Sequence, residues 1–287
     1  MVKSKTYSIE ELELKADDIR QDIIRMLEHV GSGHSAGPLG LADIFTALYF
    51  GILKHDFTKP NWDQRDILLL SNGHCAPVLY ATMANAGYFE KKELLTLRQF
   101  GSRLQGHPER TKLPGLESTS GPLGCGLSQG CGMALAMNMN KDTHRWVYVV
   151  TGDGELDEGN IWEAAMLAGK YKLGNLIAII DRNNIQIDGP TEAVMPLEDL
   201  SDKWESFGWH VIEIDGNNIE AVIDASAMAR AITEKPTAII AHTVPGKGVD
   251  FMEYDFTWHG KPPDHEQAKK ALNELRTLKG KIRSEHE

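Results

Sequence analysis

The chain has 287 residues, with 41 acidic against 30 basic side chains and a formal net charge of −11. That length allows one large domain with a sizeable core, and the acid excess without a basic run excludes a general nucleic-acid binder. No stretch approaches about 18 apolar residues, so no membrane span is expected, and residues 1–7 lack an apolar signal core.

Ser8 and Glu11 stand at capping-box spacing. Residues 9–30 then predict a helix, with Leu12, Ile19, Ile23, Ile24 and Leu27 on or near one face. A glycine-rich loop carrying His34 follows, and 39–50 predicts a second helix. The apolar run 66–71 reads as a strand entering Asn72, Gly73 and His74, with helices expected at about 77–86 and 90–98. Cys75, Cys125 and Cys131 show no metal-ligand spacing and are odd in number, which fits free thiols in a reducing cytoplasm. Residues 101–123 form a long glycine- and proline-bearing loop, and two histidine- and glycine-rich blocks inside it favour a functional role.

Beyond that loop, 127–140 predicts a tightly packed helix, 146–150 a strand, 160–171 a helix and 176–181 a strand. Residues 209–214 predict a strand, 219–233 a helix, 237–242 a strand and 264–287 a charged helical tail. Apolar strands alternating with helices imply an α/β fold, a parallel sheet with helices on both faces. No linker or repeat divides residues 1–287, so a single domain is expected. Such sheets bind ligands beyond the carboxyl ends of their strands. His74, Asp153, Asn183 and Gly246 all follow strands.

The most informative pair of motifs is Gly152-Asp153-Gly154 after one strand and Asn183-Asn184 after another. Magnesium prefers six oxygens and commonly shares them with phosphate. Asp153 offers a carboxylate oxygen, Asn183 a carboxamide oxygen and Ile185 a backbone carbonyl. Diphosphate oxygens and water would complete the shell, and Ca2+ or Mn2+ could substitute. Gly152 and Gly154 let the backbone approach phosphate with no Cβ in the way. The helix starting near residue 160 would point free N–H groups at the anion. Either motif alone is ordinary turn chemistry, whereas both at strand ends are far more specific.

Further blocks occur in order along the chain. They are Gly31-Ser-Gly-His-Ser-Ala-Gly-Pro-Leu-Gly40, Leu70-Ser-Asn-Gly-His-Cys-Ala-Pro77, Gly106-His-Pro-Glu109, Pro114-Gly-Leu-Glu117, Thr119-Ser-Gly-Pro-Leu-Gly124 and Trp258-His-Gly260. With the two motifs above, they resemble the amino-terminal, diphosphate-binding third of the transketolases.

That resemblance implies thiamine diphosphate and Mg2+ as cofactors and gives residues their roles. His34 and His259 would face the substrate and stabilise developing oxyanions, and His107 would hydrogen-bond a hydroxyl of the two-carbon unit. His74, with His259, would contact the diphosphate. Gly121 and Leu123 would lie near the aminopyrimidine and thiazolium, and Ile187 would pack on the thiazolium. Glu158 would join a carboxylate network linking paired active sites, although an acid at a helix start is also favoured by the macrodipole. His29, His55, His144, His210, His242, His265 and His286 have no motif around them and read as surface or packing residues. The chain departs from the family pattern at Ser35, where proline is usual, at Cys125, where glutamine is usual, and across 243–249, where Lys247 reads as a phosphate neutraliser or a solvated lysine.

In the family, a glutamate beside the cofactor's pyrimidine and the arginines that grip the sugar phosphate come from a second, pyrimidine-binding domain. No segment here resembles it. The expectation is the amino-terminal subunit of a split transketolase, cytoplasmic, active only with a C-terminal partner subunit in an α2β2 assembly. The implied reaction moves a two-carbon ketol unit from a ketose phosphate of the xylulose 5-phosphate type to an aldose phosphate of the ribose 5-phosphate type. Alternatives are a transketolase for unusual sugars, a deoxyxylulose-phosphate synthase-like subunit, or a non-catalytic subunit that holds cofactor and regulates a partner.

Overall fold

The structure, a computed structural model, describes residues 6–142 and 144–281. The strands in chain order are β1 (Ile67–Leu70), β2 (Val147–Gly152), β3 (Leu176–Arg182), the short pair β4 (Ile185–Gln186) and β5 (Gly189–Pro190), β6 (His210–Asp215) and β7 (Thr237–His242). Five form one parallel sheet in the order β1-β2-β3-β7-β6, while β4 and β5 pair antiparallel as a separate hairpin. Strands buried on both faces lose polar alternation, which is why β2, β3 and β7 read as continuous apolar runs. Their side chains still alternate between two cores. Val147, Val149, Ala178 and Ile180 join the core on one face, and Tyr148, Val150, Ile177 and Ile179 the core on the other.

Helix α1 (Ile9–Val30) closes the larger core. The expected cap is present: the Glu11 N–H donates to Ser8 Oγ at 3.2 Å, and the Ser8 N–H donates to Glu11 Oε2 at 2.9 Å. Leu12, Ile19, Ile23, Ile24 and Leu27 are all buried. Helices α2 (Ala36–Gly40), α3 (Ala42–Ala47), α4 (Ala76–Asn85), α9 (Ile219–Ala231) and α10 (His265–Lys281) lie on the same side. The second core is covered by α5 (Cys125–Met139), α6 (Gly159–Tyr171) and, after the single turn α7 (Thr191–Val194), by α8 (Leu200–Ser206).

Several boundaries differ from the sequence expectation. The helix expected at 39–50 begins at Ala36, because Pro38 falls in the first turn, where its missing N–H leaves no bond unmade. It is interrupted at Leu41 and ends in a π-type turn, Leu48–Ile52. The helix expected at 90–98 is a 3-10 segment, Lys91–Thr96, followed by Arg98 in a left-handed conformation at φ 59°. The stretch 185–206, for which the sequence predicts no element, contains the hairpin, α7 and α8. Residues 1–5 and 282–287 lie outside the described residues, so the signal-core reading and the end of the charged tail rest on sequence alone. Among the described residues, no helix is long and apolar enough to cross a membrane, and Cys75, Cys125 and Cys131 are free.

Two glycines in adjacent helices differ sharply in their surroundings. A Cβ on Gly169 of α6 would lie 1.9 Å from the Phe207 carbonyl oxygen, whereas one on Gly132 of α5 would meet nothing. Gly169→Ala is therefore expected to destabilise the chain by about 1–3 kcal/mol through backbone displacement. Gly132→Ala is expected to stabilise it by about 1 kcal/mol through helix propensity. Urea unfolding of both variants checks this; equal midpoints would refute the packing argument.

Candidate active site and cofactor cradle

Four loops carry histidines to the carboxyl end of the sheet. Helix α1 stops at Gly31, which is left-handed at φ 63° and donates its N–H to Leu27 O. Gly33 follows at φ 135°, where a Cβ would lie 2.5 Å from Leu27 Cδ2. Gly33 needs glycine, the left-handed Gly31 is favoured by it, and together they turn the chain so that His34 faces inward. His74 sits in the 3-10 turn Gly73–Cys75 directly after β1. His259 follows the 3-10 turn Phe256–Trp258, which is capped by Asp255 accepting from the Thr257 N–H at 2.9 Å.

The His34 and His74 ring centroids are 4.9 Å apart, His74 and His259 5.1 Å, and His34 and His259 5.6 Å. His107 lies over Gly73, whose Cβ would be 3.2 Å from His107 Cδ2. It is the exposed member of the four. Ser35 replaces the usual proline with a hydroxyl that donates to Lys261 O at 2.6 Å, so the first histidine loop is tied to the last. The late loop is held beside it by the Gly246 N–H, which donates to Ala36 O at 2.9 Å. Lys247 in that loop is half-buried.

This cluster is held neutral. Burial, with His259, Arg98 and His107 nearby, pushes His34 down to about 4. Burial, with the neighbouring imidazoles, puts His74 well below the ordinary range. Burial and Arg98 lower His107, and burial lowers His259. The Nδ1 atoms of His34 and His259 and the Oδ1 of Asn72 are buried without a protein partner. Orphaned buried polar atoms in one place are what a ligand-binding surface leaves open.

The second half of the site is anionic. Asp153 is 1% exposed at the end of β2. Its Oδ1 accepts from the Gly154 N–H at 2.7 Å. Its Oδ2 accepts from the Asn184 N–H at 2.7 Å, from Arg182 Nη1 at 3.0 Å and from Thr191 Oγ1 at 3.3 Å. Burial raises its pKa against those donors. Asn183, after β3, donates its Nδ2 to Asp181 Oδ2 at 2.9 Å, which fixes the amide orientation, and its Oδ1 accepts from the Ile185 N–H at 3.1 Å. Burial first, and Asp153 second, push the Asp181 carboxyl up to about 7. An acidic, oxygen-rich pocket with a carboxylate, an oriented carboxamide and the Ile185 backbone fits a hard divalent cation that also binds phosphate. The residues present therefore suit the expected group.

Glu155 joins the parts. It is 2% exposed. It accepts from Ser71 Oγ at the end of β1, from the Gly124 N–H at 2.7 Å and from the Gly152 N–H at 3.1 Å. Gly124, left-handed at φ 81°, opens α5, and Asn160 Nδ2 donates to its carbonyl at 2.9 Å. The loop carrying Gly121 and Leu123 is thereby fixed beside β2. Leu123 is 38% exposed, and Ile187, at the tip of the β4–β5 hairpin, is 68% exposed. Glu158 is exposed immediately before α6 and makes no side-chain cap there.

Among the residues given site roles from sequence, Gly152 closes β2 and Ile185 lies in β4, while the others sit in loops or turns, with His74, Asp153 and Asn183 just after strands of the parallel sheet. Sequence reasoning missed Glu155, Arg182 and Arg98. Glu155 is in the motif itself, next to Gly154, and only its inward direction was hidden. Arg98 donates from Nη1 to Ser32 Oγ at 2.9 Å and lowers the pKa of His34 and His107 from beside them.

A parallel α/β sheet with an acidic pocket at its carboxyl end, beside four histidines with lowered pKa values, has the form of a diphosphate-cofactor domain. The family model described as transketolase, thiamine diphosphate binding domain, matches residues 13–278. The chain belongs to the transketolase family. It is 41% identical over 278 residues to an apulose-4-phosphate transketolase subunit of Phocaeicola vulgatus, covering 97% of this chain and 98% of that protein. It is 42% identical to the 6-deoxy-6-sulfo-D-fructose transketolase subunit SqwG of a Clostridium species, covering 92% and 96%. Human transketolase is 36% identical, with 95% of this chain matching 43% of that protein. A solved transketolase variant from Pichia stipitis superimposes at a TM-score of 0.88 with 36% identity, over 96% of this chain and 41% of the other.

The four histidines have folded pKa values below their unfolded one, so the folded state binds fewer protons on acidification. Their contribution to stability is complete above the ordinary value of 6.5 and is lost as pH falls toward the folded values, near 4 for His34. The urea midpoint should fall steadily below about pH 6.5, and the His34 ring proton shift should stay flat down to about pH 5. A His34 titration midpoint near its ordinary value would contradict the neutral cluster.

Proposed function

We propose that this chain is the cofactor-binding subunit of a two-chain transketolase that moves a two-carbon ketol unit between sugars bearing an anionic end group. The observation that carries the reading is the meeting of four histidine loops beside the Asp153–Asn183 pair at the ends of β2 and β3. Relatives named as subunits match over nearly their whole length, while single-chain transketolases are matched over less than half of theirs, which supports a separate partner chain. The apulose phosphate and sulfofructose names favour a specialised ketose donor over xylulose 5-phosphate.

When bound, thiamine diphosphate supplies the electron sink for the two-carbon unit. Asp153, Asn183 and the Ile185 carbonyl would hold the Mg2+ that neutralises its diphosphate, with Gly152 and Gly154 leaving the backbone bare beside it. His74 and His259 would hydrogen-bond the diphosphate end. His34 and His259 would each offer a neutral imidazole N–H to the oxygen on which negative charge grows as the donor ketose is attacked and cleaved. A neutral imidazole donates without being consumed as an acid, and its preorganised N–H is worth most where water is excluded. His107, nearer solvent, would orient a substrate hydroxyl. Gly121, Leu123 and Ile187 would line the ring end of the cofactor.

The second wall of the site would come from the partner. Leu123 and Ile187 face outward, and α5 and α6 add exposed Met139, Met166, Leu167 and Tyr171. Gly132 and Ala136 are exposed between them on α5. An exposed apolar face with small residues allows close helix approach. Glu158, at the edge of that face, would then meet the carboxylate network of the paired site.

A coupled ketol-transfer assay tests the function. Thiamine diphosphate, Mg2+, an aldose acceptor and either xylulose 5-phosphate or apulose 4-phosphate are supplied to the chain alone and to the chain with its co-purifying partner. Activity is expected only in the mixture. His34→Ala should lower kcat/KM about 100- to 1,000-fold while leaving the cofactor Kd within about threefold. Cofactor binding without turnover in any mixture would favour a regulatory subunit.

The partner face has its own test. Gly132→Leu is expected to leave the isolated chain folded and to abolish co-purification of the partner in size-exclusion chromatography. Unchanged association would place the interface elsewhere.

A further inference from the structure

Glu155 divides its two oxygens between the two ends of the proposed cofactor site. Its Oε1 accepts from the Gly124 N–H at 2.7 Å and from Ser71 Oγ. Its Oε2 accepts from the Gly152 N–H at 3.1 Å. Gly124 closes the segment that carries Gly121 and Leu123, placed above at the ring end of the cofactor. Gly152 opens the Gly152-Asp153-Gly154 motif, placed at the diphosphate end. One planar carboxylate therefore sets the spacing of two backbone N–H groups, one at each end.

The ring-end segment has little room to settle elsewhere. The Gly124 carbonyl accepts from Asn160 Nδ2 at 2.9 Å, so Gly124 is held through both its N–H and its carbonyl. A Cβ on Gly124 would lie 2.8 Å from Glu158 Cβ. The Gly126 N–H donates to Ser71 Oγ at 3.0 Å. The start of α5 is thus seated on the turn after β2 and on the chain leaving β1, with Glu155 bonded to all three segments.

We propose that Glu155 is a positioning residue that couples the two ends of the cofactor site: it holds the ring-end segment at the spacing from the diphosphate-end motif that lets one molecule fill both. This rests on the cofactor reading proposed above. A ligand with two joined ends gains over either end alone only while the two subsites stand at the right separation. A displacement of about 1 Å forfeits much of that gain. A carboxylate suits the role because both of its oxygens accept. A glutamine has one acceptor oxygen, and its NH2 group would meet either the Gly152 N–H or the Gly124 N–H, donor against donor. The shape is kept and the tie between the two ends is lost.

The test compares a whole ligand with half of one, on the chain with its partner and Mg2+. Isothermal titration calorimetry reads the Kd of thiamine diphosphate and that of inorganic pyrophosphate, which can occupy the diphosphate end only. Glu155→Gln is expected to raise the thiamine diphosphate Kd about tenfold and to leave the pyrophosphate Kd within about threefold. Glu155→Asp keeps the charge but is one methylene short of spanning both sides, so it carries the same test if the glutamine variant does not fold. A merely structural glutamate would weaken both ligands by the same factor. Equal loss for the two ligands, or native affinity for both, would overturn the coupling. Failure of the native protein to bind thiamine diphosphate would overturn the cofactor reading and this inference with it, and it would show before any variant is made.

Discussion

A single buried carboxylate sets the geometry of this end of the sheet. Glu155 receives hydrogen bonds from the ends of β1 and β2 and from the loop opening α5. A buried carboxylate without a cationic partner is costly unless its lone pairs are filled. Two backbone N–H groups and one hydroxyl fill them here, and Ser71 Oγ in turn accepts from the Gly126 N–H at 3.0 Å. The three segments cannot shift independently without exposing an unpaired charge to a dry interior. His74 follows Ser71, Asp153 follows Gly152, and Leu123 precedes Gly124. Their relative placement therefore follows from the bonding of one residue. Burial raises its pKa, and the donors that surround it pull the other way.

The site divides into two electrostatic regimes with different uses. The histidine side is neutral because desolvation and mutual repulsion keep the second proton off His34 and His74 near pH 7. The aspartate side gathers carboxylates in a buried place, and burial, with Asp153 nearby, pushes Asp181 up to about 7. A diphosphate brought to such an acidic pocket is repelled unless a cation comes with it. The same chain would therefore favour cofactor and metal together over either alone. The substrate side gains nothing from standing positive charge on its imidazoles, since that charge would be screened or would pair with the diphosphate. Arg98, beside His34 and His107, supplies a fixed cation without taking part in proton exchange.

How much of this was legible in sequence follows from the range of the interactions. Helix α1 could be read almost to the residue, because its cap is a local pair, Ser8 with Glu11, and its buried stripe repeats within the helix. The strands could be read because burial on both faces makes them uniformly apolar. The positions of Asp153 and Asn183 just after strands could be read because glycines and oxygen-bearing side chains after an apolar run are a local pattern. Glu155 could not: two of its three partners lie 84 and 31 positions away at Ser71 and Gly124, and the sequence alone does not say that the side chain turns inward. Arg182 could not be read either, because two of its partners, Glu192 and Glu198, come later in the chain and are themselves exposed. The start of α2 was misplaced because Pro38 suggests a loop until it is seen inside a first turn.

The departures from the family pattern carry physical meaning of the same kind. A proline at position 35 could not donate to Lys261 O; Ser35 does, at 2.6 Å, and so joins histidine loops separated by 226 positions. The local loss of proline's stiffness is offset by a long-range hydrogen bond that fixes the same loop. His34 and His259 can then keep their edge-on approach, with ring centroids 5.6 Å apart and planes at 83°, although neither Nδ1 has a protein partner. Two imidazoles with unspent hydrogen-bonding atoms would drift toward water or toward each other if their loops were loose. Tying the loops through Ser35 Oγ and the Gly246 N–H fixes the rings without spending either Nδ1. The side on which Leu123 and Ile187 are exposed is where the proposed second chain would supply a further wall. The rigidity built into this half would matter most if the other half arrives by association, because a preformed surface spares the complex the entropy of ordering it.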